Sequence, residues 1–249
     1  IVSLMDCVKI LKTDISQTNL MEVSDILQNK NSISVAICNV NTLVRSYKNS
    51  KLQEKINSFD IKAPDGFPVA KASNLIYKNN QKRVDGFNVF HETINKGLEK
   101  NLSHYFFGNN KETTLLMIEK LKLKYPKINI VGYYCPPTKE YTELTDGIYT
   151  TDLENINPDV VWVSLGFPKQ EEFILAFKEK SSLTSNFIGV GAVFEWVAGK
   201  KLKAPEQLAN IGLEWIFRLA QEPRRLFKRY LVDNFLFIIY LARQLIKNN

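Results

Sequence analysis

Apolar side chains recur along this chain in two periods, and the two alternate. Residues 8–12, Val-Lys-Ile-Leu-Lys, read as a strand. Leu20, Val23, Ile26 and Leu27 then form one helical stripe, with Asn19 placed to cap it and Glu22 three residues on, as in a capping box. Residues 32–38 carry β-branched side chains and predict a strand, and a helix follows through Leu43, Val44 and Tyr47. Phe59-Asp60-Ile61 predicts a short strand, followed by a helix through Ala70, Asn74, Ile76 and Tyr77. Residues 88–100 read as a helix, 104–110 as a strand entering a glycine turn, and 112–124 as a helix that Tyr125-Pro126 stops. Residues 128–133 predict another strand, and 160–165 the most apolar one. A helix through Phe173, Leu175 and Phe177 comes next, and residues 187–196 repeat strand, glycine turn and helix. After Gly199 the pattern changes. Lys200-Lys201-Leu202-Lys203-Ala204-Pro205 is a basic linker, and residues 206–221 and 223–247 read as two helices with no strand between them.

Alternating strands and helices up to about residue 198 predict an α/β fold with a Rossmann-like, largely parallel sheet flanked by helices. Residues 1–199 would be the core, and 200–249 a basic helical C-terminal appendage. The 249 residues, 45% of them hydrophobic, suffice for a sizeable core. Three cysteines without a CxxC pairing and only two histidines argue against a disulfide scaffold, a zinc site or a histidine metal cluster. They fit a reducing cytoplasm. No stretch approaches the roughly 20 apolar residues of a membrane-spanning helix, and no signal peptide is visible. The net charge of +7 suits a phosphate-bearing ligand, nucleic acid or an anionic membrane.

Candidate chemistry lies where strands hand over to helices. Asp65, between Pro64 and Gly66, sits on a tight turn, where a carboxylate can act as a base on a bound substrate or merely cap the next helix. Asn39 and Asn41 leave a strand for a helix, a ligand-facing place that also suits capping. Arg83 could grip a diphosphate. Gly108 and Asn109 open a strand–glycine–helix start suited to phosphate, and Gln170 and Glu171 would face the same rim. Gly189 and Gly191 form a GxG without the third glycine of a dinucleotide fingerprint, so close backbone approach to a ligand is expected there, not NAD. His91 has no evident partner and reads as structural. Arg218, Arg224, Arg225, Lys228 and Arg229 cluster where the last two helices meet. The run 235–242 beside them is apolar on every helical face, which predicts burial or contact with an anionic membrane surface.

Taken together, several short segments resemble the WecG/TagA/CpsF family of bacterial glycosyltransferases over nearly the whole chain. They are Asn39-Val40-Asn41, Pro64-Asp65-Gly66, Arg83-Val84-Asp85-Gly86, Phe106-Phe107-Gly108, Gly166-Phe167-Pro168-Lys169-Gln170-Glu171, Gly189-Val190-Gly191-Ala192, Leu213-Glu214-Trp215-Ile216-Phe217-Arg218 and Glu222-Pro223-Arg224-Arg225. The resemblance implies an inverting transfer, needing no metal or other cofactor, of an N-acetylmannosamine-type sugar or another hexose. The donor would be a UDP-sugar. The acceptor would be an undecaprenyl-diphosphate-linked saccharide in teichoic acid or other cell-surface polysaccharide synthesis. The enzyme would be cytoplasmic and peripheral on the inner face of the cell membrane, and could form a homo-oligomer. Asp65 would be the general base. Arg83, Arg218, Arg224 and Arg225 would face the diphosphate, and Asn39 and Gln170 would orient hydroxyls. The chain has no DxD motif, in keeping with metal-free transfer. It departs from the family pattern at Ile37, Pro68 and Glu195, positions that bear on the donor sugar. Two other readings are a Rossmann oxidoreductase, disfavoured by the incomplete glycine fingerprint, and a non-enzymatic protein that binds membrane or nucleic acid through its basic tail. The glycosyltransferase reading expects no nucleic-acid partner.

Overall fold

The computed structural model describes residues 5–248, leaving aside the side chains of Arg229 and Asn248. Arg229 of the expected basic cluster is therefore outside the described side chains. β1 (Cys7–Ile10) and β2 (Thr13–Ser16) form an antiparallel hairpin, and α1 (Leu20–Ile26) leads to β3 (Ser34–Cys38). There follow α2 (Val40–Lys48), α3 (Ser50–Asn57), β4 (Ile61–Pro64), α4 (Phe67–Tyr77) and α5 (Gly86–Gly97). Next come β5 (Ser103–Gly108), α6 (Lys111–Lys124), β6 (Asn129–Tyr134), α7 (Tyr141–Leu144) and α8 (Gly147–Ile156). β7 (Val160–Ser164), α9 (Lys169–Lys180), β8 (Asn186–Gly189) and α10 (Val193–Ala198) complete the alternating part. α11 (Glu206–Asn210), α12 (Glu214–Gln221) and α13 (Pro223–Asn248) close the chain.

Six strands pair in parallel in the order β4-β3-β8-β7-β5-β6. The sheet is the expected α/β layer. In its middle strands successive residues feed two different cores: Val161 and Val163 of β7 pack under α2, α3 and α9, while Val160 and Trp162 pack under α1, α5, α6 and α10. Both faces being covered, these strands are apolar throughout rather than alternating. β4 lies at the sheet's edge, where Pro64 removes no needed ladder donor.

Several elements depart from the sequence reading. The first strand is half of a hairpin, turned by Leu11 and Lys12 with φ of 48° and 69°. Two consecutive positive φ values define the turn that Asn-Gly ordinarily announces, so Leu-Lys conceals it. The strand expected at residues 59–61 runs instead over Ile61–Pro64. α3, α7 and α8 were not anticipated. The helix expected over 206–221 is broken at Gly212, whose φ is 81°.

The C-terminal helices pack on the sheet's helical layer. Tyr240 of α13 lies 4.4 Å from Tyr47 of α2, Gln244 accepts a hydrogen bond from Leu11 N–H in the hairpin, and Phe237 and Leu226 are buried. The run 235–242 is thus split between a buried face and an outer one carrying Phe235 and Ile238, both 65% exposed. Among the described residues, no helix is long and apolar enough to cross a membrane.

Gly108 ends β5 with φ of 116°, and a β-carbon there would stand 2.3 Å from the Ser164 carbonyl oxygen of β7. Gly108→Ala is expected to cost about 3 kcal/mol or more, because backbone strain and a backbone clash add. Urea unfolding checks this. A variant within about 0.5 kcal/mol of the parent would show that the β5–β7 contact gives way cheaply.

Candidate active site

Because the strands are parallel, all their C-terminal ends open on one rim. There they bound a cleft of about 720 Å³, within the usual range for small-molecule sites. Helices leave this rim to opposite faces, α2 and α9 to one, α6 and α10 to the other, which opens the crevice. The longer helices α6 and α9 present their N-termini, with Lys111 and Lys169 on the cleft wall. Arg218 of α12 and Arg225 of α13 line it too. Arg218 is set over the Trp196 ring at 5.1 Å, and Arg225 pairs with Glu222. A second, smaller hollow of about 80 Å³ lies between Phe67, Pro68, Trp215, Tyr230 and Asp233.

Asp65, Asn39, Glu214 and Arg218 border both hollows. Asp65 follows β4, held by its own N–H donating to the Cys38 carbonyl of β3. It does not cap α4, which begins at Phe67 after Gly66 as its N-cap residue, with no side-chain cap bond. Burial, then the carboxylates of Glu214 and Asp85, push Asp65 up to about 7, against the opposing charges of Arg218 and Arg83. A carboxylate of that affinity is ionised in part at neutral pH and can hold a proton it takes, as a general base requires.

The other expected site residues divide. Asn39 caps α2 through its carbonyl oxygen, which accepts from Asn41 and Thr42, and also faces the cleft. Asn109 lies on the rim, its N–H donating to the Ser164 carbonyl. Gln170 lines the cleft but is heavily engaged. Its carbonyl oxygen accepts from Gly191 N–H and its amide nitrogen donates to Glu171. A β-carbon on Gly189 would come within 2.8 Å of that same amide, so Gly189 is a glycine to seat Gln170, whereas Gly191 is favoured by its φ of 54°.

The structure places four expected residues off the main cleft. Asn41 donates to Asp233 at 2.5 Å and borders only the smaller hollow, tying α2 to α13. Gly108 is consumed by its approach to β7. Arg224 is exposed and does not line the cleft. Arg83 lies 3.3 Å from Glu214 and 3.8 Å from Asp85 and does not line the cleft, bordering instead a neighbouring hollow beside Lys82 and Asn88. His91 bonds to Tyr125 at 3.0 Å and is structural, as expected. Sequence reasoning missed Ser164, Trp196, Glu214 and the Cys135–Thr138 wall, all on the cleft. Only Glu214 lay inside a recognised segment.

A parallel sheet with a polar cleft over its strand ends, lined by carboxylates and cations, is the arrangement of an α/β fold with a small-molecule site at its strand ends. The comparisons narrow the class. Residues 8–249 match the family model "Glycosyl transferase WecG/TagA/CpsF family", and the chain belongs to that family of glycosyltransferases. The chain is 30% identical over 205 residues to a protein of Bacillus spizizenii, covering 82% of this chain and 77% of the relative. It is 24% identical over 246 residues to a protein of Staphylococcus aureus strain MW2, covering 96% and 94%. Both relatives are named N-acetylglucosaminyldiphosphoundecaprenol N-acetyl-beta-D-mannosaminyltransferase.

Glu171 is 2% exposed, and its Oε2 has no hydrogen-bond partner. Burial pushes it up to about 8 from an ordinary 4.5. Raised affinity disfavours the ionised form in the fold, so the native state is penalised as pH climbs from 4.5 to 8 and fully penalised above. Glu171→Gln removes that penalty. Its melting temperature relative to the parent is expected to rise between pH 4.5 and about pH 9. A difference that stays flat across that interval would show that Glu171 ionises freely.

Proposed function

We propose that this chain is an inverting, metal-independent glycosyltransferase. It would move an N-acetylmannosamine-type sugar, or another hexose, from a UDP-sugar to an undecaprenyl-diphosphate-linked saccharide. The observation that carries the reading is Asp65, a carboxylate raised to about 7 at the junction of the two hollows. The donor would occupy the larger cleft, and the acceptor hydroxyl would approach from the smaller one. The names of the relatives support the acceptor class.

In the proposed step the acceptor O–H bond breaks and its proton passes to Asp65. The oxygen bonds to the anomeric carbon, and the bond from that carbon to UDP breaks with its electrons leaving on the diphosphate, from the opposite face. Lys111, Lys169, Arg218 and Arg225 would stabilise that departing charge in place of a metal ion. Residues 1–199 would be the catalytic core and 200–249 an appendage that closes the cleft. The outer face of α13, with exposed Phe227, Leu231, Phe235 and Ile238 near Arg224, Arg225 and Lys228, would meet an anionic membrane. That would hold the enzyme at the cytoplasmic face, where its lipid-linked acceptor lies.

The first test measures UDP release from a panel of UDP-sugars, with a lipid-diphospho-sugar acceptor and EDTA present. The parent is expected to release UDP only with acceptor, with kcat/KM rising through about pH 7 as Asp65 ionises. Asp65→Ala should lose roughly 10²- to 10⁴-fold. Undiminished turnover in Asp65→Ala would sink the assignment of the base, and activity lost to EDTA would sink the metal-free reading. The membrane contact has its own test. Phe235→Ser combined with Ile238→Ser should weaken flotation with phosphatidylglycerol vesicles while leaving the melting temperature near that of the parent, since both side chains are exposed. Equal flotation would place the contact elsewhere.

A further inference from the structure

The C-terminal helices bring a carboxylate to the candidate site, and it comes to rest beside Asp65. Glu214 opens α12, with its side chain 23% exposed, and borders both hollows together with Asp65. Its Oε2 lies 3.3 Å from Nη1 of Arg83, whose Nη2 lies 3.8 Å from Oδ2 of Asp85. Asp85 is fixed in turn. It caps α5 by accepting from Asn88 N–H, holds the Asn88 side-chain amide at 2.8 Å, and stands 3.5 Å from Lys203 of the linker. A single guanidinium, only 10% exposed, is therefore shared between an acid of the sheet domain and an acid of the C-terminal helices. Its planar fork suits it to bridging two carboxylates at once.

Arg218 lies four residues after Glu214, one helical turn along, and so shares its face of α12. Docking α12 delivers both together: an anion next to Asp65 and a cation on the wall of the cleft. Bringing like charge to a partly enclosed carboxylate works against its ionisation. The charged groups that face Asp65 are Glu214 and Arg218 from α12, Asp85 at the start of α5, and Arg83 from the preceding loop. After burial, Glu214 is the strongest of these influences, ahead of Asp85 and of both arginines.

We propose that Glu214, held in place by Arg83, is a positioning residue that makes Asp65 the stronger base, an inference that rests on the reading of Asp65 as the base. With α12 in place, Arg83 is divided between two acids and Asp65 faces an added negative charge, so it binds the acceptor proton firmly. The same helix carries Arg218 to the wall of the cleft, so one element sets both the strength of the base and a cation for the leaving diphosphate.

Two readouts on the full chain test this. One is the pH profile of kcat/KM in the UDP-release assay. The other is the titration of the Asp65 side-chain carbon in protein labelled with ¹³C-aspartate, assigned by its loss in Asp65→Asn. In the parent, Asp65 is expected to titrate near 7. In Glu214→Gln both that titration and the acidic limb of the profile should move to lower pH, with a lower rate on the plateau. Glu214→Asp keeps the charge and should hold both close to the parent, which separates the effect of charge from loss of docking. An Asp65 titration unmoved in Glu214→Gln, or moved equally in Glu214→Asp, would overturn the proposal. If instead Asp65→Asn turns over normally while Glu214→Gln still moves the titration, the assignment of the base falls and the coupling between the two acids stands.

Discussion

Parallel pairing is the constraint on which the site depends. When six strands run the same way, each delivers its C-terminal end to one rim, and the segment that follows must turn there. Asn39 follows β3, Asp65 follows β4, Asn109 follows β5, Gln170 follows β7 and Gly191 follows β8. Positions far apart in the chain are thereby gathered without any long loop. The same pairing explains the glycines. β5 and β7 lie in direct register, so the chain leaving β5 passes against the Ser164 carbonyl, and only a residue without a β-carbon fits.

A sheet of this kind leaves its rim open, and the C-terminal helices supply the missing wall. Their attachment is polar at the cleft and apolar behind it. Near the site, Glu214 reaches Arg83, Arg218 lies over Trp196, and Lys201 bridges Glu195 at 2.7 Å and Glu222 at 3.1 Å. Behind it, Tyr240 meets Tyr47, and Phe237 and Leu226 are buried. Charge pairs that are half-solvated contribute little holding energy each, whereas buried aromatic area contributes more. The apolar contacts therefore anchor α13, and the charge pairs set where α12 stops. The outer apolar stripe of α13 adds nothing to this packing, and a run of exposed large side chains on one helix face indicates a further contact surface.

Much of the layer structure could be read from periodicity, because its strands are apolar runs bounded by turns and α2, α5 and α6 carry side-chain caps. Where local chemistry was atypical, the reading missed. Leu11 and Lys12 occupy a turn that normally advertises itself with asparagine and glycine. α8 opens on Gly147, a poor helix former, which obscures the start that Asp146 would otherwise mark. The site was half legible. Asp65 stood out because proline and glycine flank it, and Gln170 because it follows a strand. Whether a polar side chain is free or already occupied depends on partners remote in sequence. Gln170 is engaged by Gly191, and Arg83 by Glu214, which lies 131 residues away. No local pattern carries that information.

The engagement of Arg83 changes how charge is distributed over the proposed reaction. An arginine read as a clamp for the diphosphate instead stands among acids, where it keeps three carboxylates, Asp65, Asp85 and Glu214, from repelling one another apart. The cations left facing the cleft start α6 and α9 or sit on α12 and α13. Of these, α6 follows β5 and α9 follows β7, which lie four and three strands from β4, or roughly 19 and 14 Å at the usual strand spacing. Asp65, Asp85 and Glu214 thus lie together at the β4 end of the cleft, and Lys111 and Lys169 lie toward the other half of the sheet. In the proposed transfer, a nucleotide-sugar laid across the strand ends would put its sugar at the acidic end and its phosphates toward the basic one. The proton and the leaving group would then depart in opposite directions along the field that the fold itself sets up.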